Sequence, residues 1–413
     1  MSIFEPQTWR AYTKAEVSRY IKAIPPAGEP GERTEKRAED APPTRQALIL
    51  QSTISPLDVY AYLKARFGNP NGFQTFLAKD DSDNLFHWDY LLDAAGQRIT
   101  FTGATQEVHV WHERELTDAE WHTFIRNIKG DFRRIGRQKS EVVRTFEKWY
   151  IFPNRYLAVA NRCAELYHKL QGSLPRLEAD LMKNNIRSND PDFMRKRHAR
   201  SAWLTNVTEA CIELPILTPV LFETFIGLIV AFMTKPEVKA NQRVYQAFTR
   251  SNLDVKIFDL AVRCRGFERV IAPGNEVMAQ YWQVVSRRND IIHGNIDPIR
   301  DATEIVYFDG KRPLYPAGGD RVAHFWQGLI SQYNPEQVLT DYVTAHEFMV
   351  EILEHMEPPS RFTMKTLMSD TQPGWDDKRG KVERLFPDHL TSFFMERLRY
   401  DCDLEPRNAE RPN

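Results

Sequence analysis

The residues of this chain best suited to chemistry are Arg288, Asn289 and His293, followed directly by Gly294. A guanidinium group can hold a phosphodiester through two hydrogen bonds, and an imidazole can move a proton because it changes charge near neutral pH. An amide beside them can orient either group or the substrate. The stretch Arg-Asn-x-x-x-His-Gly, called the RN-H motif below, therefore predicts a site that binds a phosphodiester and transfers protons.

The motif lies at the end of a segment whose pattern predicts an amphipathic helix over residues 275–292. Its apolar positions follow a helical period and are Val277, Met278, Tyr281, Trp282, Val285, Ile291 and Ile292. Gly294 stands where a left-handed residue commonly ends a helix. At about 100° per residue, Asn289 and His293 share a face, whereas Arg288 lies about 140° from His293. The pattern therefore demands a distorted helix end or a second subunit to bring Arg288 and His293 together.

A further candidate group is Glu223, the lone acid in the apolar stretch LFETFIGLIVAFM at residues 221–233. A carboxylate among apolar residues costs free energy unless it has a partner. Two interpretations stay open. Glu223 pairs with Arg288 or another base for structural reasons, or it supports the chemistry of the RN-H motif.

The motif in its helical setting resembles the HEPN (higher eukaryotes and prokaryotes nucleotide-binding) domains. Their hallmark is Arg-Asn-x-x-x-His near the end of a helix in an all-helical bundle. Arg288, Asn289 and His293 occupy those places, and Gly294 is a frequent companion. Glu223 is similar to the glutamate that several such domains carry on a core helix. The helical pattern of the resemblance covers residues 140–357.

The resemblance implies metal-independent cleavage of RNA by a homodimer whose two motifs face one cleft. His293 would deprotonate the ribose 2′-hydroxyl or protonate the leaving oxygen, and Arg288 would hold the phosphate. Asn289 would orient the histidine or the substrate. Products would carry a cyclic phosphate, and DNA would not be cut. The resemblance also implies a toxin or antiviral defence effector that an antitoxin restrains or an activating partner switches on.

Two plainer interpretations compete with this one. Arg288 and Asn289 can be ordinary surface residues, while His293 binds the last helix carbonyls beside a glycine stop. The domain can also be a non-catalytic dimerisation or binding module, with the N-terminal domain recognising its partner.

Two basic clusters offer further contacts to RNA phosphates. The first cluster contains Arg133, Arg134 and Arg137, and the second contains Arg195, Lys196 and Arg197. Binding through such groups weakens steeply as salt rises. A solvated helix face is the more common explanation of a basic run, so both clusters are secondary candidates.

Composition divides the chain into four parts. Residues 1–45 predict a short helix and a flexible linker, because 24–45 is rich in proline, glycine and charge. Residues 46–137 predict a small α+β domain that is a candidate sensor. Residues 138–370 predict the HEPN-like helical domain, and 371–413 a tail with a short helix near Leu390. The predicted class is α+β, with a small N-terminal α+β domain before a larger all-α bundle.

Local patterns predict the individual elements. Pro56 and the capping-box pattern Thr117-Asp-Ala-Glu mark two helix starts. Strands are predicted at 85–92, 98–102, 106–112 and 304–308. Helices of the larger domain are predicted at 140–150, 155–171, 174–184, 201–213, 218–233, 237–249, 253–264, 275–292 and 335–355.

Composition and missing motifs exclude several function classes. The net charge is −1, so no overall field draws the molecule to nucleic acid. Four scattered cysteines predict reduced thiols. The sequence holds no GxxxxGK, GxSxG, HExxH or CxxC motif, so we expect no metal and no cofactor. The N-terminus lacks a signal-peptide pattern, and the apolar run at 225–233 is too short for a bilayer. We expect a cytoplasmic protein without a membrane contact.

Overall fold

The computed structural model describes residues 3–23, 46–50, 54–73, 86–104, 106–112, 116–182, 191–299, 302, 304–316, 328 and 330–386. The described chain mixes helices with small sheets, so the predicted α+β class is confirmed. It divides into two compact units, residues 1–148 and 149–413. The predicted linker at 24–45 and the helix near Leu390 fall outside the described residues.

The described residues of the first unit form a five-stranded antiparallel sheet with four α-helices. The strands are β1 (Arg10–Ala11), β2 (Gln46–Leu50), β3 (Trp88–Ala94), β4 (Gln97–Gly103) and β5 (Val108–His112), in the order β1-β3-β4-β5-β2. The helices are α1 (Lys14–Ala23), α2 (Pro56–Phe67), α3 (Asp118–Arg134) and α4 (Gly136–Arg144). Alternate residues of the central strands are buried with α2 and α3 in one apolar core.

Local chemistry sets the predicted ends of these helices. Ser55 accepts a hydrogen bond from Asp58 N at 3.4 Å, and Thr117 and Glu120 form the reciprocal capping box.

The predicted domain boundary at 137/138 falls inside α4. That helix packs in the first unit, where Lys139 Nζ donates to Asp58 Oδ1 of α2 at 2.6 Å.

The second unit is a helical bundle with two small sheets. Its helices are α5 (Arg155–Met182), α6 (Phe193–Met233), α7 (Pro236–Ala240), α8 (Gln242–Arg250), α9 (Leu253–Arg263), α10 (Glu276–His293), α11 (Pro335–Glu354) and α12 (Pro358–Ser369). The strands β6 (Tyr150–Ile151), β9 (Gly374–Asp376) and β10 (Lys381–Glu383) form one sheet, and β7 (Tyr307–Asp309) and β8 (Arg312–Leu314) form a hairpin. The larger unit is therefore mainly helical, not all-α.

Two predicted helix breaks are wrong. Residues 155–171 and 174–184 belong to one helix, α5, and the helices predicted at 201–213 and 218–233 are both part of α6. Pro215 and Pro219 lie inside α6, where each removes one backbone donor. Burial of both prolines and of Leu214 between neighbouring helices holds the segment helical in spite of that loss.

Helix α6 is the one candidate membrane span among the described residues. Residues 194–233 are long and apolar enough by composition, but 56% of the apolar window is buried inside the protein. A buried core helix meets the same criteria. An aromatic cluster ties it to its neighbours, because the Phe222 ring lies 4.2 Å from Tyr281 of α10 and 4.9 Å from Phe348 of α11.

Candidate active site

Helix α10 positions the RN-H motif. Asn275 caps its start by accepting from Met278 N at 2.9 Å, and Gly294 ends it in the left-handed conformation with φ 60° and ψ 37°. One face carries Met278, Tyr281 and Val284 into the core. The predicted helix and its glycine stop are therefore present within one residue at each end.

The first arginine of the Arg-Arg-Asn run is a structural residue. Arg287 makes two hydrogen bonds to the carboxylate of Asp341 on α11, at 2.8 and 2.6 Å. Asp341 is only 3% exposed and also accepts from the Gln337 amide at 2.7 Å. Such a bidentate pair fixes the angle and register of α10 against α11. Nothing in the sequence distinguished Arg287 as the structural member of the run.

The second arginine of the run, Arg288, bonds to a neighbouring amide and not to a carboxylate. Arg288 is half-buried, and its Nη1 donates to Asn289 Oδ1 at 3.0 Å. Its Nε is buried without an acceptor, and no carboxylate among the described residues pairs with it. A guanidinium with donors to spare can take a phosphate oxygen. Asn289 holds the Arg288 guanidinium in place through its amide oxygen.

His293 does not lie beside Arg288. It is exposed at the last helical position of α10, and among the residues described here no group hydrogen-bonds to its ring. Because α10 continues to His293, the angle of about 140° between Arg288 and His293 remains. The predicted distortion of the helix end is absent, so within one chain Arg288 and His293 point to different sides.

Sequence reasoning missed Tyr281, two turns before Arg288 on the same face of α10. Its ring is fully buried, and its hydroxyl has no hydrogen-bond partner in the described chain. Burial raises the pKa of this phenol above its usual range; the nearby charge of Glu223 adds to the rise, and that of Arg288 opposes it. The phenol thus lies close to both charged candidates. Its place in an apolar helical stripe had suggested packing only.

The environment of Glu223 differs from the expected one. The side chain is exposed, so it does not need a buried partner, and no described base forms an ion pair with it. It lines a cavity of about 450 Å³ between α6, α8 and α9, together with Tyr245, Thr249 and Lys256. A single acid in an apolar run can face solvent because a helix in a bundle still has an outer side.

One group of secondary RNA-binding candidates lies far along α6 from Glu223, and the other lies in the first unit. Arg195 and Lys196 are exposed near the start of α6, and Arg195 pairs with Asp192 at 2.8 Å. A rise of about 1.5 Å per residue places them about 40 Å along α6 from Glu223. The side chain of Arg197 is not among those that the structure describes.

In the first unit, Arg133 is exposed, whereas its two neighbours are engaged locally. Arg134 binds Asp131 at 2.5 Å and Arg137 binds Glu141 at 3.1 Å. These ion pairs favour a structural role for both. The side chains of Arg134 and Arg137 are nevertheless 53% and 90% exposed.

Exposed apolar residues are concentrated in the stretch of sequence that includes and follows the end of α10. Half of the large apolar side chains that are exposed in the described ranges fall between 291 and 315. They are Ile291, Ile292, Ile296, Ile299, Ile305, Tyr307, Phe308, Leu314 and Tyr315. We call them the exposed apolar segment. Isolated exposed apolar residues are ordinary, whereas a contiguous exposed apolar patch is typical of an interaction surface.

The described residues hold no group of three or more histidine, cysteine, aspartate or glutamate side chains placed to bind a metal ion. Burial raises the pKa of the Cys163 and Cys211 thiols to about 12 and that of Cys264 to about 11. These thiols are therefore poor nucleophiles at neutral pH.

Comparison with known proteins gave no match: no family model, no curated protein and no solved structure resembles the chain significantly.

Proposed function

We propose that the second unit is a metal-independent endoribonuclease of HEPN type, with Arg288, Asn289 and His293 as its site. The observation that carries the proposal is the contrast within one helix turn. Arg287 is fully engaged by Asp341, whereas Arg288 keeps a buried donor without an acceptor beside Asn289, and His293 is exposed. A structural role accounts for Arg287 and leaves Arg288 and His293 unexplained.

The chemistry follows from these groups. A histidine takes the proton from the ribose 2′-hydroxyl, the 2′-oxygen attacks phosphorus, and the bond from phosphorus to the 5′-oxygen breaks. The leaving oxygen takes up a proton, which leaves a 2′,3′-cyclic phosphate and a 5′-hydroxyl. Arg288 neutralises the charge that develops on the phosphate oxygens. Because the nucleophile is the 2′-hydroxyl, DNA is not a substrate.

Arg288 and His293 of one chain face different sides, so the site requires two copies. In a homodimer with the α10 ends together, Arg288 of one chain meets His293 of the other. The exposed apolar segment beside His293 supplies surface for such an association. The proposal therefore includes a homodimer, in the cytoplasm, restrained or activated by a further partner.

The test is cleavage of end-labelled single-stranded RNA in EDTA by the wild-type protein and its variants. His293→Ala and Arg288→Ala should each lower the rate about 100-fold or more, the usual contribution of a general acid or base and of an oxyanion-stabilising group. His168→Ala and Arg250→Ala, two exposed residues on α5 and α8, are the matched controls. Mixing the His293→Ala and Arg288→Ala proteins should restore part of the activity.

Cleavage that survives both substitutions would reject the site. Loss of activity without recovery on mixing would reject the two-chain arrangement. Cleavage of a DNA oligonucleotide of the same sequence would reject the 2′-hydroxyl mechanism.

A second candidate function is a non-catalytic protein that binds a partner through the end of α10. The exposed apolar segment favours this candidate. The described charged residues between 291 and 315 give no net positive field for RNA; they are Asp297, Glu304, Asp309, Lys311 and Arg312. Under this candidate, substitutions in the apolar segment abolish association, and no RNA is cut by any preparation.

A further inference from the structure

A groove lies between α12 and the β9–β10 hairpin of the second unit. It encloses about 550 Å³, within the range of small-molecule sites. Met233, Leu367 and Val382 line it and are almost fully buried, whereas Phe362 lines it with 73% of its side chain exposed. The groove therefore offers an apolar floor and an accessible aromatic wall.

Hydroxyl groups line the helical side of the groove. Ser360, Thr363 and Thr366 follow one another at intervals of three residues on α12, so they share one face of the helix. All three are half-buried. The Thr363 hydroxyl donates to Pro359 O at 3.0 Å. This row can hydrogen-bond to polar atoms of a ligand along its length.

Cations outnumber acids around the groove. The charged lining residues are Arg265, Arg379, Lys381 and Arg384 against Asp370 and Glu383. Two of the cations have acidic neighbours, since Arg379 lies 3.6 Å from Asp376 and Lys381 pairs with Glu383.

Arg265 differs from those two. Its guanidinium donates to backbone carbonyls, Gly380 O at 3.2 Å and Phe232 O at 3.5 Å, and no described acid forms an ion pair with it. Its charge acts on nearby groups: the pKa of Lys239 is lowered, first by burial and then by Arg265. The groove therefore has an uncompensated positive charge at its edge.

We infer that this groove binds a small organic anion, with a phosphate or carboxylate group at the cationic edge and an apolar or aromatic body against Phe362 and Leu367. The volume admits a molecule of metabolite size and not a folded nucleic acid. The inference rests on residues distinct from the RN-H motif. It holds whether or not the protein cleaves RNA.

The test uses pyridoxal 5′-phosphate, an aromatic aldehyde with one phosphate, and pyridoxal, the same ring without it. The Lys381 amine condenses with the aldehyde and releases water; borohydride then delivers a hydride to the imine carbon, which leaves a stable mass label. Peptide mass spectrometry of the full-length protein compares labelling at Lys381 with labelling at Lys365. Lys365 is the internal reference, since it is exposed on α12 and does not line the groove.

The expected result is a Lys381-to-Lys365 labelling ratio about tenfold higher with pyridoxal phosphate than with pyridoxal, the effect of one charge-assisted hydrogen bond. Arg265→Gln should reduce this preference, inorganic phosphate should compete, and Arg250→Gln should change nothing. Equal ratios for the two aldehydes would overturn the inference. So would a preference that neither Arg265→Gln nor inorganic phosphate affects.

Discussion

The middle of helix α10 and its C-terminal end differ in how their side chains are used. Toward its middle, Tyr281 and Val284 are buried, and Arg287 is matched to Asp341 by two hydrogen bonds. At its C-terminal end, Arg288 keeps an unused buried donor, His293 is exposed, and apolar side chains face solvent. Polar groups without partners and exposed apolar groups both oppose stability. The difference indicates that packing determines the first region, whereas packing does not account for the second.

Within α10, the largest expected effect on stability is that of Arg287→Ala. Its removal leaves the buried Asp341 carboxylate with the Gln337 amide as its remaining described partner, which should cost about 3 kcal/mol of unfolding free energy. Urea unfolding measures the change. Arg288→Ala, the matched control one residue later, should cost less than about 1 kcal/mol. Equal costs would remove the distinction between the two arginines.

The next effect is the pH dependence caused by His346 of α11. Burial lowers the pKa of His346 to about 3, so below the unfolded value of about 6.5 the unfolded chain binds a proton that the folded chain excludes. Stability therefore falls as pH decreases from 6.5, by about 1.4 kcal/mol per unit.

A His346→Leu variant should lose this part of the pH dependence when unfolding is followed between pH 7 and 4.5. His168→Ala, which alters an exposed histidine, should keep it. Parallel curves for wild type and His346→Leu would show that His346 is accessible to protons in the folded state.

A smaller difference in unfolding free energy is expected between Phe variants of two buried tyrosines. The Tyr62 hydroxyl donates to Asp131 Oδ2 at 2.7 Å, so Tyr62→Phe should cost about 1–3 kcal/mol. The Tyr281 hydroxyl has no partner among the described residues, so Tyr281→Phe should change the unfolding free energy by less than about 1 kcal/mol. A large cost for Tyr281→Phe would instead reveal a structural hydrogen bond of this hydroxyl.

The smallest expected effect is that of the exposed apolar segment. Ile296 and Ile299 are 83% and 90% exposed, so replacing either by serine should change stability by no more than about 0.5 kcal/mol. Ile352→Ala in the core should cost about 2–5 kcal/mol. Size-exclusion chromatography should show weaker self-association for Ile296→Ser. If Ile296→Ser eluted at the wild-type volume at every concentration, the exposed apolar segment would have no part in self-association.

Features set by neighbouring residues were predictable from the sequence. The Ser55 and Thr117 caps, the start of α11 at Pro335 and the glycine stop at Gly294 each depend on a few residues in a row. The strands β3, β4 and β5 were predictable from alternation and a turn. The RN-H motif is likewise local, and so is the angle between Arg288 and His293.

Features set by distant residues were not predictable. The strands β1, β2, β6, β8, β9 and β10 were missed. Most of them are fixed by remote partners; Ile151, for example, pairs with Gly374. The pairing of Arg287 with Asp341 and the exposure of Glu223 depend on how α6, α10 and α11 pack. One sequence contains the periodicity of each helix but not the rotation of one helix against the next.

The rate of RNA cleavage by His293→Ala, relative to wild type in EDTA, tests the central claim most directly. His293 is exposed and has no described hydrogen-bond partner, so its loss should leave the unfolding free energy within about 0.5 kcal/mol. We predict that the rate nevertheless falls about 100-fold or more while Arg250→Ala remains fully active. Equal cleavage by wild type and His293→Ala, at the same folded fraction, would contradict the account.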